Sequence, residues 1–190
     1  GVGIKYTYDR ERLIKIEYPQ NPQNNVTFTY GAAGEASFRA GRIKKQQDGS
    51  GTQEYFYNPL GAIVKNIRVI KVPDTLPLTY TTNWTYDTWN RLTGMIYPDG
   101  ETVTYNYNVG GLLQNMSGSK GGTAYNYVPQ LGYDKFEKRI YMRYGNGTEM
   151  TYAFGPERRR LSNLTAKTAA GRLMMNNAYS YDREHNILNV

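Results

Sequence analysis

One short pattern recurs along the whole 190-residue chain: an aromatic residue, then Asp, Asn or Gly, then a tract of four or five residues. Its copies begin at Tyr8-Asp9, Tyr30-Gly31, Tyr57-Asn58, Tyr86-Asp87, Tyr107-Asn108, Tyr133-Asp134, Phe154-Gly155 and Tyr181-Asp182, in steps of 21 to 29 residues. Self-similarity on this scale constrains the fold more than any other signal, because each unit must be one supersecondary element supported by its neighbours. The steps are hairpin-sized.

The residue two positions before each anchor is aromatic at Tyr6, Phe28, Tyr55, Trp84, Tyr105, Tyr152 and Tyr179, with Leu131 the aliphatic exception. In Val26-Thr27-Phe28-Thr29-Tyr30 and Val103-Thr104-Tyr105-Asn106-Tyr107, apolar residues alternate with Thr or Asn. That period of two belongs to a strand and not to a helix, so each anchor is predicted to end a strand. Gly34, Gly61, Asn90 and Gly111 stand four positions beyond their anchor aromatics, where a turn needs a residue tolerant of positive φ. The returning strand then opens on an aliphatic residue such as Ile63, Leu92, Leu112 or Ile187. Asp48-Gly49, Pro98-Asp99-Gly100 and Gly145-Asn146-Gly147 supply turns for the opposite ends of the hairpins. The expected architecture is all-β, an up-and-down array of antiparallel hairpins without a long helix.

Three copies are irregular: Glu137 and His185 occupy the turn slot, and Arg12 falls there with a shortened tract, so looser turns are expected. The longest step holds Pro73 and Pro77, and since proline interrupts ladders, residues 71–82 are the candidate protruding loop. Ser117 to Gly122 is expected to form a shorter one. No part of the chain reads as a separate catalytic domain, so 1–190 is taken as one repeat array. Because the pattern runs to both ends, the chain reads as a segment whose edges seek partners, with the copies at Tyr8 and Tyr181 fraying first.

Composition agrees, with 19 Tyr against 5 Phe and 2 Trp, and 20 Gly. The absence of cysteine excludes disulfides and thiolate chemistry. No apolar run within these residues is long enough for a membrane-spanning helix, and none has the layout of a signal peptide. The formal charge of +7 is concentrated in short groups such as Arg42, Lys44, Lys45 and Arg158, Arg159, Arg160. A solvated sheet edge explains them better than a phosphate-binding stripe, so nucleic acid is not an expected partner.

The copy Tyr86-Asp87-Thr88-Trp89-Asn90-Arg91-Leu92, followed by Tyr97-Pro98-Asp99-Gly100-Glu101 and Tyr105-Asn106-Tyr107-Asn108, resembles the YD (RHS) repeat, and the other copies do too. Such repeats occur in bacterial Rhs and wall-associated proteins, in the C components of Tc toxins and in teneurins. The resemblance implies a segment of a spiralling β-shell around a hollow interior, secreted or on the cell surface of bacteria, often enclosing a C-terminal toxin or effector domain. Its implied partners are other repeats of the shell and that enclosed domain. The self-cleaving core region of the family has no match here, so no protease residues carry over.

The acidic anchors Asp9, Asp87, Asp134 and Asp182 could line one rim and bind cations or act as paired carboxylates in a hydrolase. Equivalent positions hold Asn58, Asn108, Gly31 and Gly155, which share turn propensity but not charge, so Asx-turn formation accounts for the whole set. His185 is the only histidine and has no evident partner in sequence. No phosphate-binding loop, metal-ligand spacing or nucleophile elbow is present, so neither cofactor, metal nor catalysis is expected. The tyrosines have two uses: cross-strand stacking within the sheet, or a platform for cell-surface glycans, with single-stranded nucleic acid behind them.

Overall fold

A computed structural model describes residues 3–190. The chain divides into two compact units, one running to Gly100 and the other starting at Glu101. In the first unit the strands are β1 (Lys5–Asp9), β2 (Arg12–Glu17), β3 (Val26–Tyr30), β4 (Ile43–Asp48), β5 (Gly51–Tyr57), β6 (Ile63–Ile70), β7 (Leu78–Tyr86) and β8 (Leu92–Ile96). Each pairs antiparallel with the next. The second unit holds β9 (Thr102–Tyr107), β10 (Leu113–Lys120) and β11 (Thr123–Val128), paired in that order. It continues with a five-stranded sheet of β12 (Gln130–Tyr133), β13 (Arg139–Arg143), β14 (Glu149–Phe154), β15 (Leu161–Lys167) and β16 (Leu173–Ala178), then the short hairpin β17 (Ser180–Tyr181) and β18 (Ile187–Asn189). Among the described residues the only helical element is a single 3-10 turn, Pro22–Asn24. The up-and-down antiparallel array read from period two is the observed fold.

Every one of the eight anchors lies at the end of an outgoing strand, and the returning strand carries a β-bulge at the same place in each copy. Tyr86 pairs with Leu92 while Thr85 pairs with Gly94, which leaves Thr93 unpaired. The same skip falls at Ile14, Lys44, Val64, Gln114, Ile140, Ser162 and Leu188. A bulge bends its strand and increases the local right-handed twist, so this repeat builds curvature into each hairpin.

Burial is shallow. Rows of apolar residues cross the sheets on one face, as in Leu131, Met142, Met150, Ala166 and Met175 across β12 to β16. Yet the buried apolar side chains among the described residues are Val103, Met142 and Ala166, and no large side chain is fully buried. Sheets with so few buried side chains draw their stability from ladder bonds and neighbour contacts rather than from a closed core.

Two loop expectations change. The loop after β6 covers 71–77, and residues 78–82 already belong to β7, where Leu78 pairs with Ile70 and Thr82 with Asn66. Pro77 is the last residue unable to donate, and the Thr-rich tract beyond it is strand-forming. Ser117 to Lys120 likewise lies within β10, and only Gly121 and Gly122 make the turn. A loop not foreseen is the excursion between Gly31 and Arg42, closed by Gly31 N–H to Arg42 O at 2.9 Å and Gly41 N–H to Gly31 O at 3.0 Å. It folds onto β5: Arg39 Nε donates to Tyr55 O at 2.8 Å, and its guanidinium lies 3.9 Å from the Phe56 ring centre.

Candidate functional site

The repeated turn is the one constellation the sequence places many times over. In the copy at Tyr86, Asp87 N–H donates to Arg91 O and Asn90 N–H to Asp87 O, both at 3.0 Å, with Asn90 at φ 61°. The Asp87 carboxylate completes it: Oδ1 accepts Trp89 N–H at 3.0 Å and Arg91 N–H at 2.9 Å, while Oδ2 accepts Arg91 Nε at 2.7 Å. Asp134 repeats this with Phe136 N–H and Lys138 N–H, and Asp182 with Glu184 N–H and Asn186 N–H. Asn58 and Asn108 each use Oδ1 to accept from the backbone four residues on, at Ala62 and Leu112. Gly31 and Gly155 keep only the backbone bonds, to Arg42 O and Arg160 O. These carboxylates and amides spend their acceptors on N–H groups that the turn would otherwise leave without partners.

The turns expected to be looser are not. Glu137 and His185 adopt φ 62° and 75°, the conformation of Asn90, because the Asp side chain before them holds the turn whatever fills the slot. Arg12 is already strand: Asp9 pairs with it across the two-residue turn Arg10-Glu11, with Arg10 at φ 56°. The shortened tract makes a tighter turn.

Hydrogen bonds from the turn shift two acids. Burial pushes the Asp87 carboxyl up, but the N–H of Arg91, its guanidinium and the N–H of Trp89 outweigh that and hold it below its ordinary value of 3.8. Asp182 is held down by the side chain and the N–H of Asn186. A depressed folded-state pKa contributes stability that is complete above the unfolded value and lost as pH falls through the folded one. Urea midpoints should therefore be flat near neutrality and drop below about pH 4, and Asp182→Asn should flatten that drop. An acid limb unchanged by Asp182→Asn would show that this turn carries no such linkage.

The anchor tyrosines do something period two does not show. Tyr30 OH donates to Leu13 O at 3.0 Å, Tyr57 OH to Ile43 O at 2.6 Å and Tyr86 OH to Ile63 O at 3.0 Å. Tyr133 OH donates to Leu113 O and Tyr181 OH to Leu161 O, both at 2.9 Å. In each case the acceptor lies in the first two residues of the returning strand of the preceding copy, so the hydroxyl ties one hairpin to the next. Where a basic residue precedes that acceptor, it lies over the same ring: Arg12 over Tyr30 at 5.4 Å, Arg42 over Tyr57 at 5.5 Å and Arg160 over Tyr181 at 4.8 Å. Phe154 lacks the hydroxyl and is met by Lys138 at 4.8 Å. Several basic groups read as solvated edge thus cover anchor rings. Tyr125 and Tyr127, neither of them an anchor, pack edge-on with ring centres 5.2 Å apart. Tyr8 ends the first copy with its ring exposed, and Tyr107 ends β9 opposite Leu113.

Tyr86→Phe removes one hydroxyl-to-carbonyl bond and should cost about 1 kcal/mol of stability while leaving the fold intact, as Phe154 stands natively in the same position. Urea unfolding checks this. No measurable cost would remove the hydroxyl from the inter-hairpin tie.

Among the described residues no three His, Cys, Asp or Glu side chains gather closely enough to hold a metal ion.

Turn-capped hairpins, five of them tied to the preceding one by an anchor hydroxyl, define a repeat scaffold. The RHS Repeat family model matches residues 68–102 and 86–123, so this stretch of the chain carries RHS repeats. No curated protein sequence matches the chain. Among solved structures, the chain is similar to the TcdB2-TccC3-Cdc42 crystal structure at TM-score 0.82 and 19% identity, covering 98% of this chain and 10% of that one. It is also similar to TcdB2-TccC3 alone at TM-score 0.79 and 18% identity, covering 97% and 10%. The Photorhabdus luminescens Tc holotoxin pore matches at TM-score 0.78 and 18% identity, again covering 97% and 10%. The fold is the β-shell fold of those toxins, and the chain spans about a tenth of the length of the chains it matches.

Proposed function

We propose that this chain is a wall segment of a large secreted or surface-exposed RHS-repeat shell, with an enclosed or presented C-terminal toxin or effector domain and the other repeats as its partners. The observation that carries this reading is the inter-hairpin tie: anchor hydroxyls and basic side chains of successive copies interlock. A unit built this way extends by adding copies and needs no closed core, which suits a wall.

In the same reading the chain is not an enzyme. The rim carboxylates that a hydrolase would use accept hydrogen bonds from their own turns, which leaves them as structural acceptors. A glycosidase, protease and nuclease panel on the purified chain should be silent, and turnover abolished by Asp87→Asn or Asp134→Asn would overturn the reading. For the enclosure itself, the longer protein should protect its C-terminal domain from added protease until the wall is unfolded. Cleavage of that domain at the rate of the free domain would contradict it.

A further inference from the structure

Two rings of the second unit are placed for chemistry that a wall does not need. In β11, Asn126 pairs with Ser117 and Val128 with Met116, so Tyr127 is the extra residue of a β-bulge. The bulge re-aims its side chain, and its ring meets that of Tyr125 edge-on over Gly118. A Cβ at Gly118 would lie 2.7 Å from Tyr125 Cε2 and 2.8 Å from Tyr127 Cε2. Two carbons ortho to the hydroxyls thus converge on the space that Gly118 leaves open. Both hydroxyls donate to a single carboxylate oxygen, Glu101 Oε1, Tyr125 at 2.5 Å. That is the short range of a charge-assisted O–H bond to a carboxylate. The bond from Glu101 holds the Tyr127 phenol above its ordinary value of 10, and the Tyr125 hydroxyl adds to the shift, so the pair stays protonated at neutral pH. Tyr127 is 37% exposed, while Tyr125 and Glu101 are half-buried.

The anchors Tyr57 and Tyr181 also stand two positions after a tyrosine, but their hydroxyls donate to Ile43 O and Leu161 O. A backbone carbonyl accepts a hydrogen bond and not the proton, whereas a carboxylate within hydrogen-bond reach takes the proton too. Loss of one electron makes a phenol shed its proton, so oxidation is easiest where such a base already holds the hydroxyl. We propose that Tyr125 and Tyr127 are a site of oxidative cross-linking to dityrosine, with Glu101 as the proton acceptor and a haem peroxidase using hydrogen peroxide as the oxidant. Each phenol gives one electron to the peroxidase and its hydroxyl proton to Glu101 Oε1, which passes the first proton to water before the second arrives. The two radicals join in one Cε2–Cε2 bond, each ortho hydrogen leaves as a proton, and one proton returns to each oxygen. The pair loses two electrons and two protons in all, and these reduce hydrogen peroxide to water. The product staples β11 at its bulge in a chain that has no cysteine for a disulfide. It stands independently of the wall reading, which needs no cross-link.

The test is treatment of the full chain, at high dilution, with a haem peroxidase and hydrogen peroxide, followed by mass spectrometry of its tryptic peptides. The peptide 121–135 should lose two hydrogen atoms and cease to fragment between Tyr125 and Tyr127, while dityrosine fluorescence rises in step. Tyr127→Phe should abolish this change. Glu101→Gln keeps an oxygen for both hydroxyls but removes the base, and should slow the coupling by about tenfold or more with an unchanged far-UV spectrum. Tyr55 with Tyr57 and Tyr179 with Tyr181 should stay uncoupled over the same time. No loss of hydrogen from 121–135, coupling through Tyr133 instead, an unchanged rate in Glu101→Gln, or equal coupling at those two anchor pairs would each overturn the inference.

Discussion

Gly51→Ala is expected to destabilise the first unit by about 3 kcal/mol or more, the combined cost of backbone strain and an overpacked ladder. Gly51 opens β5, pairs with Asp48 on one side and Ile70 on the other, and sits at φ 148°. A Cβ there would lie 1.9 Å from Val69 O and 2.9 Å from its carbonyl carbon. Both are backbone atoms, so no rotamer change relieves the contact. The ends of β5 and β6 must part, and the bond from Lys71 N–H to Ser50 O at 2.7 Å sits at that point. Gly34→Ala provides the contrast, since its φ is 76° but nothing lies within 4 Å of the added methyl. It should cost only about 1 kcal/mol. Urea midpoints for the two variants measure the difference, and equal costs would mean that the close approach at Gly51 does not constrain the sheet.

Asp134→Ala should cost about 2–3 kcal/mol, more than the same change at Asp182. Three groups lose their acceptor: Phe136 N–H at 2.8 Å, Lys138 N–H at 3.1 Å, and the Arg159 guanidinium ion-paired with Oδ2. Arg159 belongs to the turn of the following copy and packs 4.5 Å from the Phe136 ring centre, so its charge would be left half-buried without a counter-ion. Asp134→Asn should recover about half of the loss, because Asn58 and Asn108 cap the same turn with an amide oxygen. If Asn were as damaging as Ala, the ion pair alone would be holding the turn. If Ala were harmless, the turn would not need its side chain.

The strand ends and the turn were legible because they depend on local chemistry. Period two in Val103 to Tyr107 and Asn or Gly in the turn slot each follow from φ preferences and side-chain direction. The bulge in every copy was not read, although paired aliphatics such as Leu13-Ile14 and Ile63-Val64 break strict alternation where it falls. The tyrosine tie was hidden for a different reason. Preference for Tyr over Phe signals a use for the hydroxyl, but its acceptor lies 14 to 23 residues away in the neighbouring hairpin, as Tyr57 to Ile43 and Tyr86 to Ile63 show. Distance in sequence also hid the excursion from Gly31 to Arg42, since Gly34 fits the turn slot and gives no sign that the strand restarts only at Ile43. In the same way Arg42 and Arg160 looked like surface charge until their rings were in place. At Glu137 and His185 the residue in the turn slot carries little information, because the Asp three positions earlier caps the turn.

The central claim is that these hairpins form part of a continuous wall. Electron cryo-microscopy of the longer protein in which the proposal places this chain tests it most directly. The account predicts that the outer edge of β1 pairs with further strands of that protein and that one face of the hairpin sheets lines an enclosed space. A chain folded back so that its own sheet faces pack on each other, or a sheet with both faces open to bulk solvent, would contradict it.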